Sequence, residues 1–218
     1  MEAECRHQCL IYEGAPSNQL SALAIMIQRK LNEGHRCLYL NSRPMVAGMR
    51  SYLSAIGVDV VYEIAKARLI LSSEPATSPD GSFDADLMLN KLEDALDQAL
   101  ADGYTGLWAT GDMTWEFGAE KNLEKLVEYE RGLEILMQKW KSLSGVCQYH
   151  RDTLPREATK AALVTHQNIF VNETLACINP HYSPPEQPSR QVTDPELDKM
   201  LVSLWQLQKL SSKAGEPV

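Results

Sequence analysis

Short apolar runs alternate with amphipathic segments along this chain, and that alternation restricts it to few architectures. The run Cys9–Tyr12 ("CLIY") stops at a Gly/Pro turn and predicts a buried strand. Leu20, Leu23, Ala24, Ile27 and Leu31 then recur at helical spacing until Gly34 ends the helix. "RCLYLN" (Arg36–Asn41) predicts a second strand. "PMVAGMRSYLSAIG" puts Pro44 in a first helical turn and Gly57 at a C-terminal cap. "VDVVYE" and "ARLILSS" read as further strands. Asp84 opens a helix carrying Leu87, Leu89, Leu92, Ala95, Leu96, Ala99 and Leu100. A strand at Gly106–Thr110 ("GLWAT"), a long helix over Asn122–Leu143 and a strand at Gly145–His150 ("GVCQYH") follow. "LPREATKAALVTH" is read as a short helix and "NIFVN" as a last edge strand. Such an order predicts an α/β fold: a mostly parallel sheet in three layers, with helices on both faces.

From Asn179 the composition shifts. "NPHYSPPEQPSRQ" predicts a proline-rich arm over residues 179–193, after a main domain spanning 1–178. Residues 194–218 then form an amphipathic helix with Leu197, Met200, Leu201, Leu204 and Leu207 on one side. That stripe is expected to pack on the domain or on a second copy of the chain, giving a homodimer through the C-terminal helix. Hydrophobic residues make up 44% of 218, enough for a core. The net charge of -8 opposes direct nucleic-acid binding, which needs a basic face. No apolar run approaches the roughly 20 residues that span a bilayer, and "MEAECRHQCL" has no hydrophobic core of a secretory signal. The five cysteines are scattered, which suits buried thiols in a cytoplasmic protein better than a disulfide framework.

In a parallel sheet, ligands bind beyond the carboxyl ends of the strands. The first loop to inspect is "EGAPSN" (Glu13–Asn18). A phosphate-binding loop needs several glycines, a lysine for the β/γ-phosphates and Ser/Thr for magnesium. Here Gly14 stands alone, there is no lysine, and Pro16 removes one donor. Ser17 or Asn18 is expected to cap the following helix. In "ATGDMTWEFG", Asp112 and Glu116 can supply polar contacts and Trp115 an apolar wall. Strand alternation puts Cys147 and Tyr149 on one face, Gln148 and His150 on the other. His150 lies at a carboxyl end and His7 at an amino end, so these two make an awkward metal pair. Cys5-x-His7-x-Cys9 is not a zinc spacing either, and no metal or cofactor is expected. For His166 a capping or surface role is expected. No G-x-S-x-G elbow is present, and Cys147 and His150 face apart, so a non-catalytic protein is expected. In "KLVEYERGLEILMQKW", Leu126, Tyr129, Leu133, Leu136 and Trp140 point inward and the charges form a solvated face.

The frame "GHRCLYLN…MRSYLSAIGVDVVYEIAKARLILSS" resembles KaiC/RecA-like ATPases. In those enzymes an acid follows the second strand, where this chain has Asn41–Ser42. A magnesium-binding aspartate ends the later strand, where this chain has Ala109–Thr110 with Asp112 two residues on. The resemblance thus implies a RecA-like fold that has lost its ATPase. From His7 to about Tyr182, "HQCLIYEG", "GHRCLYLN", "DGSFDADLML", "GYTGLWATGDMTWEFG", "LVEYERGLE", "GVCQYHRDTLP" and "ALVTHQNIFVN" resemble the MEDS domain, the methanogen/methylotroph, DcmR sensory domain. That resemblance implies a sensor of small organic molecules, hydrocarbon derivatives among them, acting through a signalling or transcriptional output protein. The ligand site is expected at Glu13, Ser17, Ser42, Arg43, Asp112, Trp115, Glu116, Tyr149 and His150. A degenerate nucleotide-binding protein and an interaction or oligomerisation module are the alternative readings.

Overall fold

A computed structural model of the chain describes residues 6–74, 82–116, 122–171, 177–179, 181–187 and 191–214. The elements run β1 (His7–Tyr12), α1 (Leu20–Asn32), β2 (Arg36–Leu40), α2 (Arg43–Ala55), α3 (Val60–Ala65), β3 (Leu69–Ser72) and α4 (Ala85–Ala101). They continue with β4 (Leu107–Asp112), α5 (Met113–Glu116), α6 (Leu123–Lys139), β5 (Leu143–His150), α7 (Arg156–Thr165), β6 (Asn168–Val171), β7 (Cys177–Ile178) and α8 (Asp194–Ala214). The sheet order is β3-β2-β4-β5-β1-β6-β7. All neighbours are parallel except β6 and β7. The segment "NIFVN" is therefore internal to the sheet, and β7 is the edge.

The period-two alternation of the strands sorts their side chains into two cores. Leu10, Tyr12, Tyr39, Trp108 and Val146 face α1, α2 and α3. Cys9, Ile11, Ala109, Cys147 and Tyr149 face the layer that carries α4, α6, α7 and α8. β5 lies between β1 and β4, and at Gly145 its backbone approaches β4 so closely that a Cβ would sit 2.3 Å from Ala109 O. Helix α8 packs on its own chain: Leu197, Met200, Leu201 and Leu204 are buried in the second core. Leu207 lies outside the residues whose side chains are described. Among the described residues no helix is long and apolar enough to cross a membrane.

Several local expectations change. "VDVVYE" forms α3 rather than a strand, because Asp59 accepts the Tyr62 N–H at 3.0 Å and caps a turn that the β-branched run then continues. Helix α1 starts from Gln19, with no side-chain cap from Ser17 or Asn18. Gly14 has φ +84, the left-handed turn that a glycine permits. The long helix stops at Lys139, and Leu143 already belongs to β5. Strand β4 runs on through Gly111 to Asp112, so the acid ends the strand rather than following it by two residues.

Candidate functional site

Two buried polar centres lie on opposite faces of the sheet. The first sits at the carboxyl ends of β1, β4 and β5, on the α1 face. Tyr12 Oη donates to Asp112 Oδ2 at 2.8 Å, and Asp112 Oδ1 accepts the Thr114 N–H at 2.8 Å. Burial, and then the Asp112 carboxylate, push the Tyr12 phenol far above its ordinary value, so it stays a donor. Gln148 Nε2 donates to Thr110 Oγ1 at 2.9 Å, and Thr110 in turn donates to Val146 O at 2.6 Å. Asn41 Nδ2 donates to Tyr39 Oη at 3.1 Å, and Asn41 Oδ1 accepts the Ser42 N–H at 2.7 Å.

His150 ties two loops together here. Its Nε2 lies 2.8 Å from Gly14 O, which only accepts, so Nε2 carries the proton. Nδ1 then accepts from Thr153 Oγ1 at 2.7 Å. Gly14 N–H donates to Asp152 Oδ2 at 2.7 Å across the same gap. The loop after β1 is thus held to the loop after β5 by both backbone groups of one residue, Gly14. A phosphate would compete for that N–H, so the loop is closed on the protein itself.

Gln19 is the unusual member. It is fully buried, and neither Nε2 nor Oε1 has a hydrogen-bond partner among the described residues. It lies beside the Tyr12 hydroxyl, close enough to influence it, yet no bond of acceptable geometry joins them. Gln148 Oε1 is likewise buried and without a partner among the described residues. Buried polar atoms are normally paired, at a cost of about 1–3 kcal/mol when they are not.

The residues expected at a ligand site divide accordingly. Asp112 and His150 converge here, both buried, and Ser42 is half-buried. Glu13, Ser17 and Arg43 are exposed. Tyr149 points through the sheet to the other face. Trp115 and Glu116 form the end of α5, and their side chains lie outside the described residues. The periodicity of α1 gave no signal for Gln19, which sits one residue before its apolar stripe.

The second centre lies between β1, β5, α6 and α7. His7 Nδ1 is 2.9 Å from Glu134 Oε2, and His7 Nε2 is 3.1 Å from Glu130 Oε2. Cys147 Sγ lies 3.5 Å from the same Glu130 oxygen, and Tyr149 Oη donates to Glu130 Oε1. His166 Nε2 is 3.3 Å from Glu130 Oε2, but makes no hydrogen bond of acceptable geometry. Its Nδ1 lies 3.0 Å from Ala162 O. His7, Glu130, Cys147 and His166 are all buried.

Charge is concentrated there. Burial alone would lower the His7 imidazole, but Glu130 and Glu134 outweigh it and carry it up to about 9. Burial, and then the His7 charge, hold the His166 imidazole below its ordinary value. Burial alone would raise the Glu130 carboxyl, yet the hydrogen bond and charge of the His7 imidazolium keep it well below the usual carboxylate range. The sequence reading placed the charges of α6 on a solvated face and His166 at a cap or surface. Glu130 and Glu134 are instead inside, because they share the inward stripe with Leu126, Tyr129, Leu133 and Met137. His166 does end a helix, as the C-cap of α7, but it is fully buried rather than at the surface. The spacing Glu130–Glu134 at i, i+4, flanked by those apolar residues, was the signal available.

A cavity of about 20 Å³ separates the sheet from α4 and α6, lined mainly by apolar side chains including Met88, Leu92, Met113 and Met137. It has room for about one water-sized molecule. A larger open groove, about 490 Å³, runs between Arg151 and α8.

Strand order, crossovers and the carboxyl-end centre define a three-layer RecA/KaiC-like α/β protein. Solved structures agree. A KaiC-like protein from the hyperthermophilic archaeon Pyrococcus horikoshii superposes with TM-score 0.52 at 12% identity, covering 76% of this chain and 70% of its own. An uncharacterized protein of Pyrococcus horikoshii, solved in complex with an unknown peptide, superposes with TM-score 0.58 at 16% identity, covering 78% of each chain. No curated protein matches significantly. The family model described as "MEthanogen/methylotroph, DcmR Sensory domain" matches residues 6–167, and the chain belongs to the MEDS family.

Proposed function

We propose that this protein is a non-catalytic sensor of a small polar organic molecule, bound at the carboxyl ends of β1, β4 and β5. Gln19 carries the proposal: a fully buried amide whose donor and acceptor both lack a partner among the described residues. With Gln148 Oε1 beside the Tyr12–Asp112 pair, it offers both donors and acceptors to one guest. That chemistry suits a hydrocarbon derivative bearing a hydroxyl, amine or carbonyl group. Membership of a sensory family and the ligand-binding rule for parallel sheets support the same reading. Binding shifts the chain between two states by its differential affinity for them, and a signalling or transcriptional partner reads the shift.

The frame also suggests a residual nucleotide enzyme. Against it stand the absent lysine, Asn41 where such enzymes carry an acid, and Asp112 engaged by Tyr12 and Thr114. Calorimetric titration with Mg-ATP, followed by a phosphate-release assay, separates the readings. We expect neither heat nor phosphate, and turnover would overturn the sensor assignment.

A further inference from the structure

The second centre has a geometry that a purely hydrogen-bonded core does not explain. Four donor atoms, His7 Nε2, a Glu130 carboxylate oxygen, Cys147 Sγ and His166 Nε2, lie within 4.8 Å of one another. Four of the separations are 3.1 Å (His7–Glu130), 3.3 Å (His166–Glu130), 3.5 Å (Cys147–Glu130) and 3.7 Å (Cys147–His7). Tetrahedral zinc, with bonds of about 2.0–2.3 Å, sets its ligands about 3.3–3.7 Å apart.

Both imidazoles are oriented from behind. Glu134 Oε2 is a carboxylate acceptor for His7 Nδ1, and Ala162 O is a carbonyl acceptor for His166 Nδ1. Each Nδ1 therefore holds a proton, and each Nε2 is turned toward Glu130 and Cys147. For His166 this sets an imidazole lone pair against a carboxylate oxygen, two acceptors facing each other in a fully buried site. A cation between them removes the conflict. Histidine ligands backed by a carboxylate or carbonyl are a usual outer shell of metal sites, and Tyr149 fixes the Glu130 carboxylate in the same way.

We propose that His7, Glu130, Cys147 and His166 bind a divalent transition-metal ion, with zinc the best match to two nitrogens, one thiolate and one carboxylate. The site uses β1, β5, α6 and the C-cap of α7, so the ion links four parts of the fold that are distant in sequence. Because all four ligands are buried, the ion enters as the chain folds and is held by the folded state. Binding releases two protons to solvent, one from the Cys147 thiol and one from Nε2 of the His7 imidazolium, and no electron is transferred.

The test uses the full, untagged chain. Plasma mass spectrometry of protein made in zinc-supplemented medium is expected to give about one zinc per chain. Refolding with cobalt is expected to give the visible bands of tetrahedral cobalt and a near-ultraviolet thiolate-to-cobalt band, the latter lost in Cys147→Ser. X-ray absorption of the wild-type zinc form needs no variant and is expected to show one sulfur among four ligands. Folded protein that carries no metal and takes up no cobalt overturns the proposal. So does a zinc shell with two or more sulfurs, or a thiolate band that survives in folded Cys147→Ser.

Discussion

Replacing Gln19 by leucine should stabilise this protein while abolishing its response to ligand. The two side chains have similar volume, and the native side chain makes no cap bond at the start of α1. Its backbone, at φ -80 and ψ -9, suits any residue. Leucine removes one donor and one acceptor buried without a partner among the described residues. Each such group costs about 1–3 kcal/mol, so a net gain of about 2 kcal/mol is expected for the pair on one amide. For a chain of this size that converts to a rise of about 4–8 °C in Tm. Differential scanning calorimetry of the ligand-free protein, with urea unfolding alongside, reads it directly. A Tm lower than wild type refutes the reasoning, because it means Gln19 is satisfied in the folded protein and is not held open for a guest.

Three other outcomes follow from the same geometry. Tyr12→Phe should cost about 1–3 kcal/mol by leaving Asp112 Oδ2 unpaired. The Tyr12 phenol is raised on folding, so its contribution is complete below about pH 10, its ordinary value, and shrinks above that pH as the unfolded chain ionises. The stability gap between wild type and variant, measured by urea unfolding at pH 8 and at pH values above 10, should therefore narrow. Gly145→Ala places a Cβ 2.3 Å from the Ala109 carbonyl oxygen and should separate β5 from β4, at a cost of about 3 kcal/mol or more, seen as loss of soluble folded protein. Ending the chain at Thr193 removes Leu197, Met200, Leu201 and Leu204 from the core, about 6–12 kcal/mol of burial. That is comparable with the whole stability of a domain, so circular dichroism should show a largely unfolded product rather than a smaller folded one.

The parallel sheet, the sites of most strands and helices and the family resemblance could all be read from apolar periodicity and motif order. The errors have local causes. "VDVVYE" carries a strand-like β-branched run, but a single Asp59 cap settles it as helix α3. Strand β4 was cut short at Thr110 because Gly111 looked like a stop, whereas the sheet pairs Asp112 with Gln148. The carboxyl-end centre was half visible: strand ends point to Asp112 and His150. Gln19 was invisible, since nothing in sequence distinguishes an unpaired glutamine from a solvated one. The metal-like quartet was unreadable for another reason. Its members come from β1, α6, β5 and the C-cap of α7, and only the strand order brings His7 beside Cys147 and His166. Pairing His7 with His150 was rightly rejected, since they occupy opposite ends and faces of the sheet, but its true neighbours needed the fold.

We propose that a RecA-like frame has exchanged nucleotide chemistry for small-molecule sensing at the Gln19–Tyr12–Asp112–Gln148 centre. The most direct measurement is the thermal midpoint of wild type and Gln19→Leu against a concentration series of one- to three-carbon alcohols, amines, aldehydes and amides. A saturable rise is expected for at least one compound in wild type, and none in Gln19→Leu. Equal shifts in both proteins, or no saturable shift with any compound, contradict it.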